Sequence, residues 1–297
     1  MQKNILVIAP TRIGDAILAA SLLAHLQQQP ESKVTIATSR LSAPLYESYP
    51  MLREIIRIEK QSFSRHWLNI WQRTCATRWQ AVYDFRGSAL AYMLRADRRF
   101  VFKAPAQPMP KVEQFAHAFG IKQLPYPTLW TSPKHDAEAE TLIPPHENIL
   151  AIAPIANWAP KEWPLAHFET VAKQLLSGDL KGYRPMVICA AHEREKALPL
   201  LNALTSFSPI DVTRGETSLL GIYAGLKRCK LFVGNDSGLM HMAAAAAIPT
   251  LGLFGPTDAI AYQPWGAKAR ALIAPEGNLQ ALSPDTVVQA LSALIIP

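Results

Sequence analysis

Long apolar runs, paired cysteines and the common nucleotide-binding signatures are all missing from this sequence, and each absence removes a class of function. No stretch approaches the roughly 18 apolar residues of a membrane-spanning helix. The longest candidate, HMAAAAAIPTLGLFGP, is cut by Pro249, Gly252 and Gly255. The first apolar run, NILVIAP, is too short for a secretory signal and no small-residue cleavage site follows it, so none is expected. The three cysteines, Cys75, Cys189 and Cys229, are odd in number, far apart and without CxxC spacing. That argues against a disulfide framework or a zinc site and for a reduced, cytoplasmic setting. Neither GxGxxG nor GxxxxGK[ST] occurs at the candidate loops, so the dinucleotide and P-loop readings fail.

What is present is a chain of 297 residues, 49% hydrophobic, long for one domain and comfortable for two. The net charge of +7 is carried entirely by the first half. Residues 1–140 hold 18 Lys and Arg against 11 Asp and Glu, whereas residues 141–297 hold 12 of each. Most of the excess lies in residues 53–103, with 11 basic and 4 acidic side chains. A one-sided basic field points to an anionic partner: nucleic acid, phosphorylated lipid or a membrane surface. A solvated basic face is the plainer alternative.

The stretch NILVIAP at Asn4 returns as NILAIAP at Asn148. Each is a short continuous apolar run closed by a proline, the pattern of a strand covered on both faces. In the first half TRIGD follows, then AILAASLLAHLQQQ with apolar residues at helical spacing, then the strand KVTIATS: a βαβ unit. The second half repeats the plan with PLAHFETVAKQLL, RPMVICAA, SLLGIYAGLKRC, KLFVGND, GLMHMAAAAA and TLGLFGP. This alternation predicts an α/β protein of two doubly wound, Rossmann-like domains, 1–143 and 144–297, joined near the polar, proline-bearing SPKHDAEAETLIPPHEN. The C-terminal helix is a candidate for packing back on the first domain. Ligands of such sheets bind beyond the carboxyl ends of the strands. Two facing domains would therefore share a central cleft.

Three loops at those ends carry chemistry. KLFVGND ends at Asn235-Asp236 and a helix starts around Ser237-Gly238. Unpaired N–H groups and the helix dipole suit that turn to a phosphate, and Gly238 allows close approach. His241 lies about one turn on and faces the same mouth; an Asp cap beside a core histidine is the alternative. In APIANWAPKEWP two prolines bracket Lys161, and Trp158 and Trp163 are placed to stiffen the loop. Lys161 is well placed to meet an anion, or is an ordinary surface lysine. In TRIGDAIL, Gly14 permits a tight turn and Asp15 begins a helix, as a simple N-cap or as a general base.

Together GNDSGLMHMAAAAAIPTLGLFGPTD (234–258), APKEWP (159–164) and RIGDAIL (12–18) resemble glycosyltransferase family 9, the ADP-heptose:lipopolysaccharide heptosyltransferases. The resemblance implies a two-domain GT-B fold, with the first domain binding acceptor and the second binding nucleotide sugar. It implies an inverting transfer of heptose from ADP-heptose to the lipopolysaccharide inner core at the cytoplasmic face of the inner membrane. No metal and no cofactor is implied, and no DxD motif stands near the diphosphate site. Asp15 matches the family's general base, Lys161 its phosphate-contacting lysine, and Asp236, Ser237, Gly238 and His241 its donor motif. Glu193 falls at a ribose-binding glutamate and Thr217 near the adenine site. Tyr83-Asp84-Phe85-Arg86-Gly87 echoes a segment near the acceptor, which makes Arg86, and Arg12 beside the base, candidates for contact with an anionic lipopolysaccharide precursor. In the implied mechanism Lys161 and the helix at Gly238 stabilise the departing diphosphate, while Asp236 holds sugar hydroxyls, since two anions repel. The alternatives are a GT-B enzyme using another nucleotide sugar, a sugar-nucleotide epimerase, or a degenerate transferase that only binds lipopolysaccharide precursors. Nucleic acid is not expected as a partner: the basic stretch FSRHWLNIWQRTCATRW has helix-like amphipathy and no nucleic-acid motif. Its Trp67 and Trp71 are core residues or line a peripheral contact with the membrane surface.

Overall fold

The structure is a computed structural model that describes residues 3–29, 31–59 and 65–295. Phe63 and Ser64 of the basic stretch lie outside the described residues. The chain divides into two compact units, Met1–Trp130 and Thr131–Pro297.

The first unit runs β1 (Lys3–Ile8), α1 (Ile13–Leu26), β2 (Ser32–Ser39), β3 (Leu52–Ile58), α2 (Arg65–Thr74), β4 (Trp79–Asp84), α3 (Leu90–Met93), β5 (Ala96–Val101) and α4 (Lys111–Ala118). Its five strands are all parallel, in the order β3-β2-β1-β4-β5. NILVIAP is thus the central strand. Its alternate residues Leu6 and Ile8 pack with Ile70 of α2 and with Leu90, Ala91 and Leu94 in and beside α3. Ile5 and Val7, equally buried, point to the opposite side by the two-residue period of a strand. At the carboxyl ends of β4 and β5, Phe85 meets Phe115 and Phe119 edge-on and Tyr83 stacks on Phe100, which seats α4. The turn after β4 bends at Gly87, whose φ of +64° is a left-handed value that side chains disfavour.

The second unit runs α5 (Pro133–Leu142), β6 (Ile149–Ala153), α6 (Leu165–Ser177), β7 (Arg184–Ile188), α7 (Arg194–Ala203), β8 (Ile210–Val212), α8 (Leu219–Leu226), β9 (Leu231–Asn235), α9 (Gly238–Ala245), β10 (Thr250–Phe254), α10 (Ala259–Tyr262), β11 (Ala269–Ile273) and α11 (Pro284–Ile295). Its six parallel strands are ordered β11-β10-β9-β6-β7-β8. NILAIAP is again where the strand order reverses: β7 and β8 are added on one side of β6, β9 to β11 on the other. At that reversal β6 and β9 approach closely, and a Cβ on Gly234 would stand 2.9 Å from the Ala153 Cβ.

One boundary departs from the expectation. The helix α5 packs against α8, so the units part at Trp130/Thr131 rather than at 143. The C-terminal helix α11 buries Val287 and Leu291 against α6 and β10 of its own unit.

Candidate active site

Open parallel sheets bind ligands where the strand order reverses, because adjacent loops there diverge to opposite faces and leave a crevice. In the second unit that point lies between β6 and β9, and the loops leaving these two strands carry Lys161 and Asp236. Their side chains meet: Lys161 Nζ donates to Asp236 Oδ2 at 2.7 Å. The pair is largely enclosed, with 21% of the lysine and 6% of the aspartate side chain exposed. Lys161 is therefore no ordinary surface lysine.

The loop that carries Lys161 is held by partners on both sides. Trp163 is fully buried; its backbone N–H donates to Asn235 Oδ1 at 3.0 Å and its indole N–H to the Leu282 carbonyl at 3.0 Å. Asn235 also donates from Nδ2 to the Pro154 carbonyl at 2.7 Å, so one buried amide ties both ends of the loop to the end of β9. Glu162 accepts from the Ala156 N–H and from Lys196 of α7. Lys161 itself closes a 3₁₀ turn, Ala159–Lys161. Trp163 does the stiffening expected of the two tryptophans; Trp158 is half exposed. In the sequence Asn235 marks only a strand end; its clamp depends on the fold.

Helix α9 begins at Gly238 with Ser237 as its N-cap residue, and Asp236 stands immediately before it. His241, in the first turn, is buried. Burial holds its imidazole down at about 4, with the Asp236 carboxylate opposing the drop and the Lys161 ammonium adding to it. The imidazole is thus neutral at physiological pH, a hydrogen-bonding group and not a second cation. The His241 Nδ1 and Ser237 Oγ are buried without a hydrogen-bond partner among the described residues. So is Thr257 Oγ1, in the Gly-Pro-Thr-Asp turn after the neighbouring strand β10. Native proteins satisfy nearly all buried polar atoms, so two orphans in the first turn of one helix, with a third in the turn after the neighbouring strand, point to a ligand that supplies partners there. Thr257 was not among the expected site residues, although the motif that contains it was.

Glu193 and Thr217 follow β7 and β8 at the same edge of the sheet, but no hydrogen bond joins them to the Lys161–Asp236 pair among the described residues. Glu193 Oε2 accepts from the Ala190 N–H and closes the turn that leads into α7. Beside it, Asp211 accepts from Arg194, Arg214 and Thr213, and these bonds hold its carboxyl well below the usual range despite partial burial. Thr217, half-buried, precedes Ser218, the N-cap of α8. Ser218 is anchored in turn by Glu138 of α5, whose Oε2 accepts from its N–H and its hydroxyl.

In the first unit the reversal lies between β1 and β4. Asp15 is half-buried in the first turn of α1, two residues inside the helix rather than its cap; Arg12 takes the N-cap position and is exposed. Gly14 accordingly belongs to the helix and makes no separate turn. The chain entering α1 is pinned by hydroxyls from β2 and the turn after it: Thr38 donates to the Pro10 carbonyl, Ser39 and Ser42 to that of Thr11. Across the switch point, buried Asp84 accepts from the N–H groups of Arg86 and Ser88 and from the Ser88 hydroxyl. Arg86 projects from this turn, its guanidinium 4.6 Å from the Trp67 ring centroid. Much of the surrounding basic excess is matched locally, by Arg57 with Glu47, Arg73 with Glu54 and Arg78 with Asp97.

Residues 74–290 match the family described as glycosyltransferase family 9 (heptosyltransferase). The chain belongs to glycosyltransferase family 9. It is 26% identical to lipopolysaccharide heptosyltransferase 2 of Escherichia coli strain K12, with 99% of each chain covered. It is 25% identical to the enzyme of the same name from Salmonella typhimurium, over 91% of this chain and 87% of that one. Among solved structures it is similar to the E. coli ADP-heptose lipopolysaccharide heptosyltransferase II, with a TM-score of 0.78, 25% identity, and 99% and 98% of the two chains covered. Two parallel sheets and this likeness give the family member a GT-B fold. Its motif positions around Asp236 and Lys161 are thus the loops of a glycosyltransferase. No described helix is long and apolar enough to cross a membrane.

Proposed function

We propose that this chain transfers heptose from ADP-heptose to the inner core of a lipopolysaccharide precursor, with inversion at the anomeric carbon. The carrying observation is the enclosed Lys161–Asp236 pair beside the N-terminus of α9, whose Ser237 Oγ and His241 Nδ1 are buried without partners among the described residues. The family membership and the E. coli relatives named for this activity support the reading. The diphosphate of the donor sits at the α9 N-terminus, where backbone N–H groups and the helix dipole favour negative charge. Lys161 supplies the counter-charge as ADP departs, an electrostatic contribution that grows towards the transition state. Asp236 orients the ammonium and accepts from sugar hydroxyls; Ser237, Gly238 and neutral His241 complete the cradle. Glu193 and Thr217 border the nucleoside. Asp15 takes the proton from the acceptor hydroxyl as its oxygen attacks, and Arg12 and Arg86 meet anionic groups of the acceptor.

Such an acceptor is anchored in the inner membrane, so the enzyme works in the cytoplasm against that surface. The test is direct. Purified protein is incubated with ADP-heptose, or with UDP- and GDP-sugars, and truncated lipopolysaccharide, and the product mass is read. A gain of one heptose from the ADP donor is expected. Transfer from a UDP- or GDP-sugar instead overturns the donor assignment, and tight binding of every component without turnover identifies a binding protein.

A further inference from the structure

The outer surface of α2 and α3 combines exposed apolar side chains with unopposed positive charge. The two helices pack against each other and on one face of the first sheet, through Ile70, Leu90, Ala91 and Leu94. Their inward residues are thereby accounted for. Outward, Leu68 is 52% exposed and Tyr92 and Met93 are each 63% exposed. These are three of the five large hydrophobic side chains exposed among the described residues of this unit, the others being Leu41 and Tyr126. Single exposed hydrophobics are ordinary on a protein surface; three on two touching helices call for a cause.

The exposed charge on these helices and the segment joining them is of one sign. From Arg65 to Ala96 the sequence contains a single carboxylate, Asp84. It is fully buried and occupied by Arg86 and Ser88, so it contributes no exposed negative charge. Of the arginines in the same span, Arg73 and Arg78 are neutralised by Glu54 and Asp97 from the flanking strands. Arg65 and Arg95 are exposed and form no ion pair among the described residues. Arg86 lies over Trp67, a half-buried ring at the edge of the same surface. Leucine, methionine and tyrosine set among arginines, with the flanking acids Glu54, Glu59 and Asp97 each already paired with an arginine, match the boundary between anionic headgroups and acyl chains: the apolar groups enter and the guanidinium groups stay at phosphate level.

We propose that the α2–α3 surface docks on an anionic lipid bilayer, independently of acceptor recognition. The proposal takes from the functional reading only that the acceptor is lipid-anchored. Neither Leu68, Tyr92 and Met93 nor Arg65 and Arg95 belong to the transfer machinery described above, so docking and chemistry separate in experiment.

The experiment is co-flotation of the full chain with vesicles free of glycolipid, made of phosphatidylcholine alone or with phosphatidylglycerol. Binding is expected only to the anionic vesicles, weakening as salt rises because the attraction between exposed charges is screened. Each arginine near such a surface is worth about fivefold in partitioning, so R65Q/R95Q is expected to bind about 25-fold more weakly. L68S/M93S, at exposed positions, is expected to lose binding while keeping the wild-type melting temperature. Transfer of heptose to a deacylated, water-soluble acceptor is expected to be unchanged in both variants. Equal binding to neutral and anionic vesicles, wild-type binding by the variants, or binding only when lipopolysaccharide precursor is added each overturns the proposal. Absence of transfer by the wild type to the soluble acceptor counts against the enzymatic reading and leaves the docking result standing.

Discussion

Acidification interrogates the proposed donor site through His241. An ordinary imidazole titrates at 6.5, whereas burial holds this one at about 4. Above pH 6.5 neither folded nor unfolded chain carries a proton there, and His241 contributes no pH dependence. Between 6.5 and about 4 the unfolded chain takes up a proton that the folded chain refuses, so stability falls with pH. At about 1.4 kcal/mol per unit, this group withdraws on the order of 3 kcal/mol across the window. Below about 4 both states are protonated and the contribution levels off. That loss is a large fraction of the roughly 5–15 kcal/mol that holds a domain together. Urea unfolding of the wild type and of His241→Gln at stepped pH isolates it, because carboxylates common to both cancel in the difference. The wild type should lose about 3 kcal/mol more than the variant over this range. An imidazole resonance titrating near its ordinary value, with parallel stability curves for the two proteins, would refute the buried, neutral histidine.

Three further outcomes follow from the geometry. Asp15→Asn should lower turnover by roughly 100-fold or more while leaving ADP affinity intact; because Asp15 lies inside the first turn of α1, loss of its charge near the dipole should also cost about 0.3–1 kcal/mol. Steady-state kinetics beside calorimetry check this, and near-normal turnover ends the general-base role. Lys161→Met leaves the Asp236 carboxylate enclosed without its cation and should destabilise by roughly 2–3 kcal/mol, less than for a wholly buried pair because the lysine keeps some exposure. Adding Asp236→Asn should restore most of that loss in a double-mutant cycle; strict additivity would mean the two do not interact. Gly87→Ala forces a side chain into a φ of +64° with its Cβ 3.2 Å from the Phe102 carbonyl, and should cost about 1–2 kcal/mol in urea unfolding; an unchanged midpoint refutes the strained turn.

The central strands were legible because a strand covered on both faces must be apolar at every position, and NILVIAP and NILAIAP are. The edge strands were not. In β5, Arg98 and Arg99 are exposed while Phe100 and Val101 are half-buried, and β8 is only Ile210–Val212; neither leaves a periodic trace. The helix starting at Gly238 was placed from its small and polar opening residues. The cap alternative for Asp15 fails because Arg12, which has no capping side chain, holds the N-cap position.

The sequence by itself determined which loops are candidates for the site, since a turn at the carboxyl end of a buried strand is a local pattern: Asp15, Lys161 and Asp236 could each be named from a dozen neighbouring residues. It also determined the charge asymmetry, a matter of counting. Only the tertiary structure decided what those residues do to one another. Lys161 and Asp236 are 75 positions apart, and their pairing depends on β6 and β9 lying side by side. The clamp of Asn235, the neutrality of His241 and the separation of paired from unpaired arginines arise in the same way. Each depends on burial and on distances between segments remote in the chain, which no local pattern of residue types encodes.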